Sequence, residues 1–201
     1  MNIVYLDIET QHLFSEFPGA QKDYRNYGKL KVALAGTLAD GKYIAFPEDR
    51  VENGLMRYLN SFDRIVGHNL FGFDYKVLGS YFQFPEVVFG ARGKGINGKT
   101  FDTKTEFAHI VNTNINDNKE VSWVSLDDIA QRNFGIDKTE DSILIPKMWQ
   151  DGKYEEVKAH LFRDLELTEK FYLAGCAGTK IKYHHKVYGV SHGEKEVYIK
   201  W

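Results

Sequence analysis

The chain has 201 residues, 43% of them hydrophobic and 27% charged, with a formal net charge of −2. This composition excludes a disordered chain and a strongly basic protein that coats nucleic acids, and it suffices for one hydrophobic core. No apolar run approaches membrane-spanning length, the first residues match a strand rather than a signal peptide, and a single cysteine allows no internal disulfide. We therefore expect a cytoplasmic protein without a membrane segment.

The first half of the chain is predicted to alternate between short buried strands and helices. Apolar and β-branched runs predict strands over 2–10, 31–40, 41–48 and 63–69, with Asp40-Gly41 as a hairpin turn, and helical spacing predicts helices over 51–62 and 75–82. Two stretches that contain glycine and proline, 14–29 and 85–100, predict a loop and an irregular segment.

The second half is predicted to be mainly helical. A short extended run at 101–103 precedes a predicted helix over 105–111, a polar loop over 112–119 and a helix that begins after Ser125 and ends at Gly135. Residues 142–148 match a strand, the longest predicted helix runs from Tyr154 to about Ala174 and ends near Gly175, and 180–201 predicts a terminal hairpin. This order indicates an α/β fold with a mixed sheet.

Acidic residues from three separate segments lie beside strongly apolar elements. Asp7 and Glu9 are two residues apart on a predicted strand, so they point to the same face. Asp74 follows another strand, and Asp164 lies one helical turn after His160. An unpaired charge among apolar residues is costly, and divalent cations can stabilise acids gathered from distant segments. The alternatives are acids at a solvent-exposed strand end, at a helix N-terminus and on a helix surface.

Three segments resemble the exonuclease motifs of the DEDD superfamily of 3′–5′ exonucleases. They are DIET (7–10), NLFGFD (69–74) and HLFRD (160–164), and the intervening stretches FDTKTEFAHIV and VSLDDIAQRNFGI are also similar to that family. The resemblance covers roughly residues 1–175, and it implies a ribonuclease H-like exonuclease domain with a mixed β-sheet flanked by helices. Residues 176–201 would form a C-terminal β-hairpin extension packed on the same domain.

The resemblance implies hydrolysis of phosphodiester bonds with two Mg²⁺ ions, for which Mn²⁺ is the usual substitute. Asp7 would bridge both ions, Glu9 and Asp164 would complete one site, and Asp74 would support the other. His160 would be the general base that activates the attacking water. The helix around His160, however, resembles members that carry tyrosine at this position, and the alternative is an ordinary histidine on a helix surface.

The resemblance also implies a substrate site for the single-stranded 3′ end of DNA or RNA. Thr10 and Leu13 would contact the terminal nucleotide, and ordinary packing is the alternative role for Leu13. Asn69 would contact the strand or orient the acid that follows it, while Phe71 or Phe73 would stack on a base. The sequence contains no polymerase module, so proofreading would need a polymerase or another replication or repair protein as a partner.

Residues Gly93–Thr100 match the P-loop pattern and predict, as an alternative, a nucleotide hydrolase. A P-loop requires a buried strand before the motif and a helix directly after it, whereas 100–103 predicts extended chain. The competing interpretation is a loop whose Arg92, Lys94 and Lys99 contact a nucleic-acid backbone or only solvent. A further alternative is a catalytically inactive nucleic-acid-binding module, and the alternating lysines and aromatic residues of the tail suit such binding.

Overall fold

The computed structural model describes residues 1–18, 24–90, 94–114, 124–136, 141–187 and 190–201. A five-stranded mixed sheet has the order β3-β2-β1-β4-β5, with β1 (Ile3–Thr10), β2 (Val32–Ala39), β3 (Lys42–Pro47), β4 (Arg64–Gly67) and β5 (Thr100–Asp102). Strand β2 is antiparallel to β1 and β3, whereas β4 is parallel to β1 and β5. The predicted mixed sheet is confirmed, and its order is compatible with a ribonuclease H-like fold.

Helices cover the sheet, and a hairpin ends the chain. The helices are α1 (Tyr24–Leu30), α2 (Met56–Asn60), α3 (Asp74–Gly79), α4 (Pro85–Phe89), α5 (Gly95–Gly98), α6 (Thr103–Asn114), α7 (Leu126–Phe134), α8 (Ile145–Gln150) and α9 (Tyr154–Ala177). A π-helical turn (Val51–Leu55) leads into α2, and 3₁₀ turns lie at Phe14–Glu16, Glu48–Arg50 and Ser142–Leu144. The hairpin consists of β6 (Thr179–Val187) and β7 (Val190–Ile199). No helix within the described ranges is long and apolar enough to cross a membrane.

The two faces of the sheet pack against different helices. Alternate residues of β1, namely Val4, Leu6 and Ile8, contribute to the large core that also contains buried residues of α1, α2 and α3. Tyr5 points to the other face, where it packs with Leu165 and other residues of α9. Because side chains alternate along a strand, Asp7 and Glu9 lie on the Tyr5 side and face α9.

The terminal hairpin is packed into a core of its own with three helices. Ile181, Tyr183, Val197 and Ile199 form an apolar cluster with buried residues of α6, α7 and α9. Trp201 closes this cluster, and its indole nitrogen donates a hydrogen bond to the carbonyl of Tyr172 at 2.9 Å. The hairpin therefore packs against the C-terminal part of α9, about three turns along the helix from His160.

Several local signals in the sequence form the structures that they predict. Asp40 and Gly41 both have positive φ, 49° and 70°, as the tight turn of the β2–β3 hairpin requires. Ser125 accepts a hydrogen bond from the amide of Asp128 at 3.2 Å, so it is the N-cap of α7. Gly135 ends this helix in the left-handed conformation with φ 64°.

Other local predictions are wrong. The expected strand over 142–148 is a 3₁₀ turn followed by α8, since Pro146 lies in the first helical turn, where its missing amide costs nothing. The predicted loop over 14–29 contains α1, and the irregular segment over 85–100 contains α4 and α5. The predicted polar loop begins later, because α6 continues to Asn114, and residues 19–23, 91–93 and 115–119 of these segments lie outside the described residues.

The end of α9 also differs from the prediction. The helix continues past Gly175 to Ala177, and Gly178 ends it with φ 73°. Gly175 lies directly against the Trp201 ring, which leaves no room for a side chain. This glycine therefore allows the close approach of the C-terminus and does not terminate the helix.

Candidate metal centre

Strand β1 projects its two acids beyond the part of the sheet that flanks them. Its parallel pairing with β4 ends at Tyr5, opposite Val66, whereas its antiparallel pairing with β2 continues to Thr10. Around Asp7 and Glu9, one edge of β1 is thus paired with β2, whereas its other edge is not paired with β4. Glu9 is buried, with 9% of its surface exposed, and Asp7 is partly buried.

Gly36 allows α9 to approach the sheet closely at this point. It pairs with Asp7 in the β1–β2 register, and a Cβ atom added to it would lie 2.7 Å from Cγ of Leu161 and 3.0 Å from Cδ1 of Leu165. Any side chain here would force the helix away from the sheet. The sequence analysis missed this residue, because a lone glycine in a strand carries no signal of what packs against it.

The close approach brings His160 and Asp164 of α9 to Glu9 of β1. The imidazole Nε2 lies 3.7 Å from Oε1 of Glu9 and 3.5 Å from Oδ2 of Asp164. One ligand atom from each of the three residues lies within 4.8 Å of the others. His160 is 5% exposed, and neither of its ring nitrogens has a hydrogen-bond partner among the described residues.

Arg163 orients the carboxylate of Asp164. Its Nη1 atom donates to Oδ1 of Asp164 at 2.9 Å and to Oδ1 of Asp127 on α7 at 3.2 Å. The first contact occupies one oxygen of Asp164, while Oδ2 points to His160. The ion pair with Asp127 connects the carboxylate of α9 to a second helix, so its orientation depends on both.

Asp74 reaches β1 from the first turn of α3. Its Oδ1 atom accepts a hydrogen bond from the amide of Ile8 at 3.1 Å, beyond the point where β4 stops pairing with β1. The carboxyl is 2% exposed. Asp74 therefore lies against the strand that carries Asp7 and Glu9, as the three-motif interpretation requires.

The loop before Asp74 is built around Asn69 and a buried acid, Asp102. Asn69 has φ 77°, and its carbonyl accepts from the amides of Gly72 and Phe73. Asp102 accepts from the amides of Asn69 at 2.9 Å and Phe71 at 3.0 Å. Asn69 thus shapes the turn that positions Asp74, which corresponds to the second of the two roles expected for it.

Asp102 is a structural acid that the sequence analysis did not identify. It also accepts from the amides of Lys104 at 3.1 Å and Thr105 at 3.3 Å, so it caps α6 while it holds the Asn69 loop. An aspartate directly before a predicted helix was the available signal. Its backbone partners on two separate segments could not be deduced from the sequence.

The four acids of the motifs all have raised pKa values. Burial is the main cause, and it raises the pKa of Asp7 and of Glu9 well above their ordinary values, with further increases from the neighbouring carboxylates. Burial raises the pKa of Asp74 to about 8. Burial also raises the pKa of Asp164, against the opposing effects of His160 and Arg163. The carboxyls of the cluster therefore hold their protons more strongly than exposed acids do, and a bound cation would favour their ionised form.

A cavity of about 320 Å³ opens in front of these acids. It is lined by Asp7, Ile8, Glu9, Thr10, His12, Leu13, Phe14, Leu30, Phe73, Ser142, Ile143, Pro146 and Asp164. Three of the motif acids thus line the cavity, whereas Asp74 and His160 are buried and are not among its lining residues.

The expected substrate residues have different positions relative to the cavity. Thr10, Leu13 and Phe73 line it, whereas Asn69 shapes the loop behind it. Phe73 packs edge-to-face on Phe14, and Phe71 is 40% exposed and packs on α3 instead.

One wall of the cavity was missed by the sequence analysis. Ser142, Ile143 and Pro146 come from the segment that was predicted to be a strand. This segment is attached to the loop after β1 through Gln150, whose side-chain amide donates to the carbonyl of Gln11 at 2.8 Å. Ile143 is 59% exposed although its side chain is apolar. Packing in the core therefore does not explain an apolar residue at this position of the cavity lining.

The P-loop alternative does not agree with the structure of its segment. The Nζ atom of Lys99 donates to the carbonyls of Leu59 and Phe62, each at 2.9 Å, so the lysine is engaged with the end of α2. A short helix, α5, lies inside the motif, and strand β5 follows it where a P-loop has a helix. We therefore reject the P-loop interpretation.

The donor set fits divalent cations. Carboxylate oxygens from β1 and α9 converge, and a buried imidazole without a hydrogen-bond partner among the described residues adds a nitrogen donor. Glu9, His160 and Asp164 can hold one ion, and Asp7 faces the same cavity.

Comparisons with known proteins show a likeness to solved structures. No protein-family model matches the chain, and no curated protein matches its sequence. Among solved structures, the chain is similar to a family B DNA polymerase from the hyperthermophilic archaeon Pyrobaculum calidifontis, with a TM-score of 0.57 and 19% identity. The match covers 86% of this chain and 24% of that chain, so our protein spans about a quarter of the polymerase. The likeness shows that the chain shares its fold with part of a DNA polymerase.

Proposed function

We propose that the protein is a metal-dependent 3′–5′ exonuclease that hydrolyses phosphodiester bonds at the 3′ ends of DNA or RNA. The observation that carries this proposal is that Asp7, Glu9 and Asp164, from two distant segments, line one cavity, while Asp74 from a third segment is bonded to the strand that carries Asp7 and Glu9. The resemblance of the three motifs to the exonuclease motifs suggests that the protein hydrolyses phosphodiester bonds and proceeds from the 3′ end. The fold shared with part of a DNA polymerase supports an activity on nucleic acid.

The electrostatics of the cavity make a cation necessary for this reaction. A phosphodiester is an anion, and the carboxylates of Asp7, Glu9 and Asp164 that line the cavity would repel it. Glu9 and Asp164 would hold one divalent ion, Asp7 would bridge to a second, and Asp74 would support the second ion from behind. When bound, such ions supply an activated water and stabilise the leaving oxygen. We expect both ions to be Mg²⁺, with Mn²⁺ as a substitute.

The apolar walls of the cavity suit a terminal nucleotide. Its apolar lining residues include Leu13, Phe14, Phe73, Ile143 and Pro146. A base can pack between such walls while its phosphate meets the acids, and sequence-independent contacts of this kind accept any base. A volume of about 320 Å³ lies within the range of small-ligand sites, which favours one terminal nucleotide over a continuous duplex.

The likeness to part of a larger polymerase also leads to a proposal about partners. Our chain covers 24% of that polymerase. We propose that the protein acts beside a polymerase or another replication or repair protein, which would deliver the single-stranded 3′ end to the cavity.

The experiment that tests the function uses 5′-labelled oligonucleotides. Single- and double-stranded DNA and RNA are incubated with the purified protein in Mg²⁺, in Mn²⁺ and in chelator. We expect a ladder that shortens from the 3′ end and requires metal. Asp7→Asn should lower the rate at least about a hundredfold, whereas Asp151→Asn, which changes an exposed carboxylate paired with Lys147, should retain it.

Other outcomes would contradict the proposal in distinguishable ways. Cleavage at internal positions would indicate an endonuclease. Binding of the oligonucleotides without any cleavage would support the inactive binding module. Equal activity of the wild type and the Asp7→Asn variant would show that the four acids do not form the active site.

A further inference from the structure

His160 is buried in an environment that gives its ring nitrogens no hydrogen bonds. Its side chain is 5% exposed, and both Nδ1 and Nε2 lack a partner among the described residues. Buried polar atoms are almost always paired, and an unpaired one in a folded protein requires an explanation such as an ion. The role of general base expected from the sequence does not by itself provide such a partner, and His160 is not among the residues that line the cavity.

The distances around Nε2 indicate what the missing partner is. Nε2 lies 3.5 Å from Oδ2 of Asp164 and 3.7 Å from Oε1 of Glu9, which is longer than a hydrogen bond. Two ligands of one ion, each at about 2.0–2.2 Å from it, are about 3–4 Å apart. The two separations from Nε2 therefore match those of ligands around a common centre, and one ligand atom of each of the three residues lies within 4.8 Å of the others.

The surrounding structure holds this triad in place. His160 and Asp164 are one turn apart on α9, and Arg163 binds the other oxygen of Asp164 and leaves Oδ2 directed at the imidazole. Glu9 is fixed on β1, whose distance from α9 is set by Gly36. Such outer contacts fix the orientation of metal ligands.

We propose that Glu9, His160 and Asp164 bind one divalent transition-metal ion, with Nε2 of His160 as a direct ligand. Mg²⁺ strongly prefers oxygen ligands, whereas imidazole suits the transition metals, whose affinities rise from Mn²⁺ through Co²⁺ towards Cu²⁺. The site would thus select Mn²⁺ or a later metal over Mg²⁺. This inference rests on the proposed function for what the ion does, but the ligand set can be examined without substrate.

The test uses the full chain freed of metal with chelator and then loaded with Mn²⁺. Electron spin-echo spectroscopy of the bound Mn²⁺ should show coupling to a histidine nitrogen in the wild-type protein. Calorimetric titration should show that Mn²⁺ binds at least about tenfold more tightly than Mg²⁺. In the His160→Gln variant the nitrogen coupling should disappear and the ratio of the two affinities should fall to about one.

His192→Gln is the matched control, since His192 is an exposed histidine on β7. It should retain the nitrogen coupling and the preference for Mn²⁺. Circular dichroism and melting in chelator show whether each variant is folded, and the wild-type spectrum tests the ligand directly if His160→Gln does not fold. Absence of nitrogen coupling in Mn²⁺-loaded wild type, or an unchanged affinity ratio in folded His160→Gln, would overturn the inference.

The two proposals fail separately. Nitrogen coupling in a protein that cleaves no oligonucleotide would sustain the ligand set and refute the exonuclease. Metal-dependent cleavage with oxygen-only coordination would sustain the exonuclease and refute His160 as a ligand.

Discussion

Gly36 of β2 packs directly against Leu161 of α9, and the space between them is too small for a single methyl group. A Cβ atom at Gly36 would be 2.7 Å from Cγ of Leu161, where carbon atoms in contact are normally about 3.5–4.0 Å apart. Gly36 is also the register partner of Asp7. The spacing between the acids of β1 and His160 and Asp164 of α9 therefore depends on this glycine.

We expect Gly36→Ala to destabilise the protein by about 1–3 kcal/mol, because the added methyl overpacks the contact with α9. It should also reduce the exonuclease rate, since displacement of the helix separates Glu9 from His160 and Asp164. Urea unfolding and the oligonucleotide assay measure the two effects.

Leu161→Ala in the same chain provides the control for Gly36. The double variant should lose less stability than the sum of the two single variants, because the shorter side chain makes room for the methyl group. Strictly additive losses would show that the contact does not set the helix position.

Ile143 is expected to contact substrate. Ile143→Ser should raise KM for a single-stranded oligonucleotide several-fold, since it removes an apolar wall of the cavity, with little change in stability because the side chain is 59% exposed. Its neighbour Leu144 is also exposed, at 47%, but does not line the cavity. Leu144→Ser should leave KM unchanged, and equal effects of both substitutions would refute a specific role for Ile143.

Asp74 should make the metal-free protein less stable as pH rises. Burial raises its pKa to about 8 in the folded chain, against about 3.9 in an unfolded one. Between these values the folded state binds a proton that the unfolded state has lost, so the free energy of unfolding falls from about pH 4 to about pH 8. Asp7 and Glu9 contribute in the same direction.

The Asp74→Asn variant isolates this contribution, because its amide does not titrate and its oxygen can still accept from Ile8. Urea unfolding in chelator at several pH values should show that the stability of the variant relative to the wild type increases between about pH 4 and pH 8. Parallel curves for the two proteins would contradict the raised pKa of Asp74.

Lys99 is expected to matter for stability and not for nucleotide binding. Lys99→Met removes two hydrogen bonds to the carbonyls of Leu59 and Phe62 and should cost about 1–2 kcal/mol. Lys94→Met, which changes an exposed lysine of the same segment, should cost nothing measurable. Binding of ATP or GTP to the wild type by calorimetry, abolished in Lys99→Met, would reinstate the P-loop interpretation.

Signals that act between neighbouring residues were predictable from the sequence. The turn at Asp40-Gly41 and the cap at Ser125 depend on backbone conformations and hydrogen bonds within four residues. Gly175 shows where such reasoning fails. A glycine can end a helix, but it can also make room for an aromatic ring from a distant part of the chain. The contact with Trp201 decides between them, and it joins the end of α9 to the end of the chain.

The sequence by itself determined the acid set, because Asp7, Glu9, Asp74 and Asp164 lie beside apolar runs in recognisable motifs, and strand alternation fixes which face β1 presents. The tertiary structure alone decided how these residues are arranged in space. Packing of α9 on Gly36 turns His160 towards the acids, and the segment from Ser142 to Pro146 closes the cavity. Distances between segments far apart in the chain arise from core packing, which local patterns do not encode.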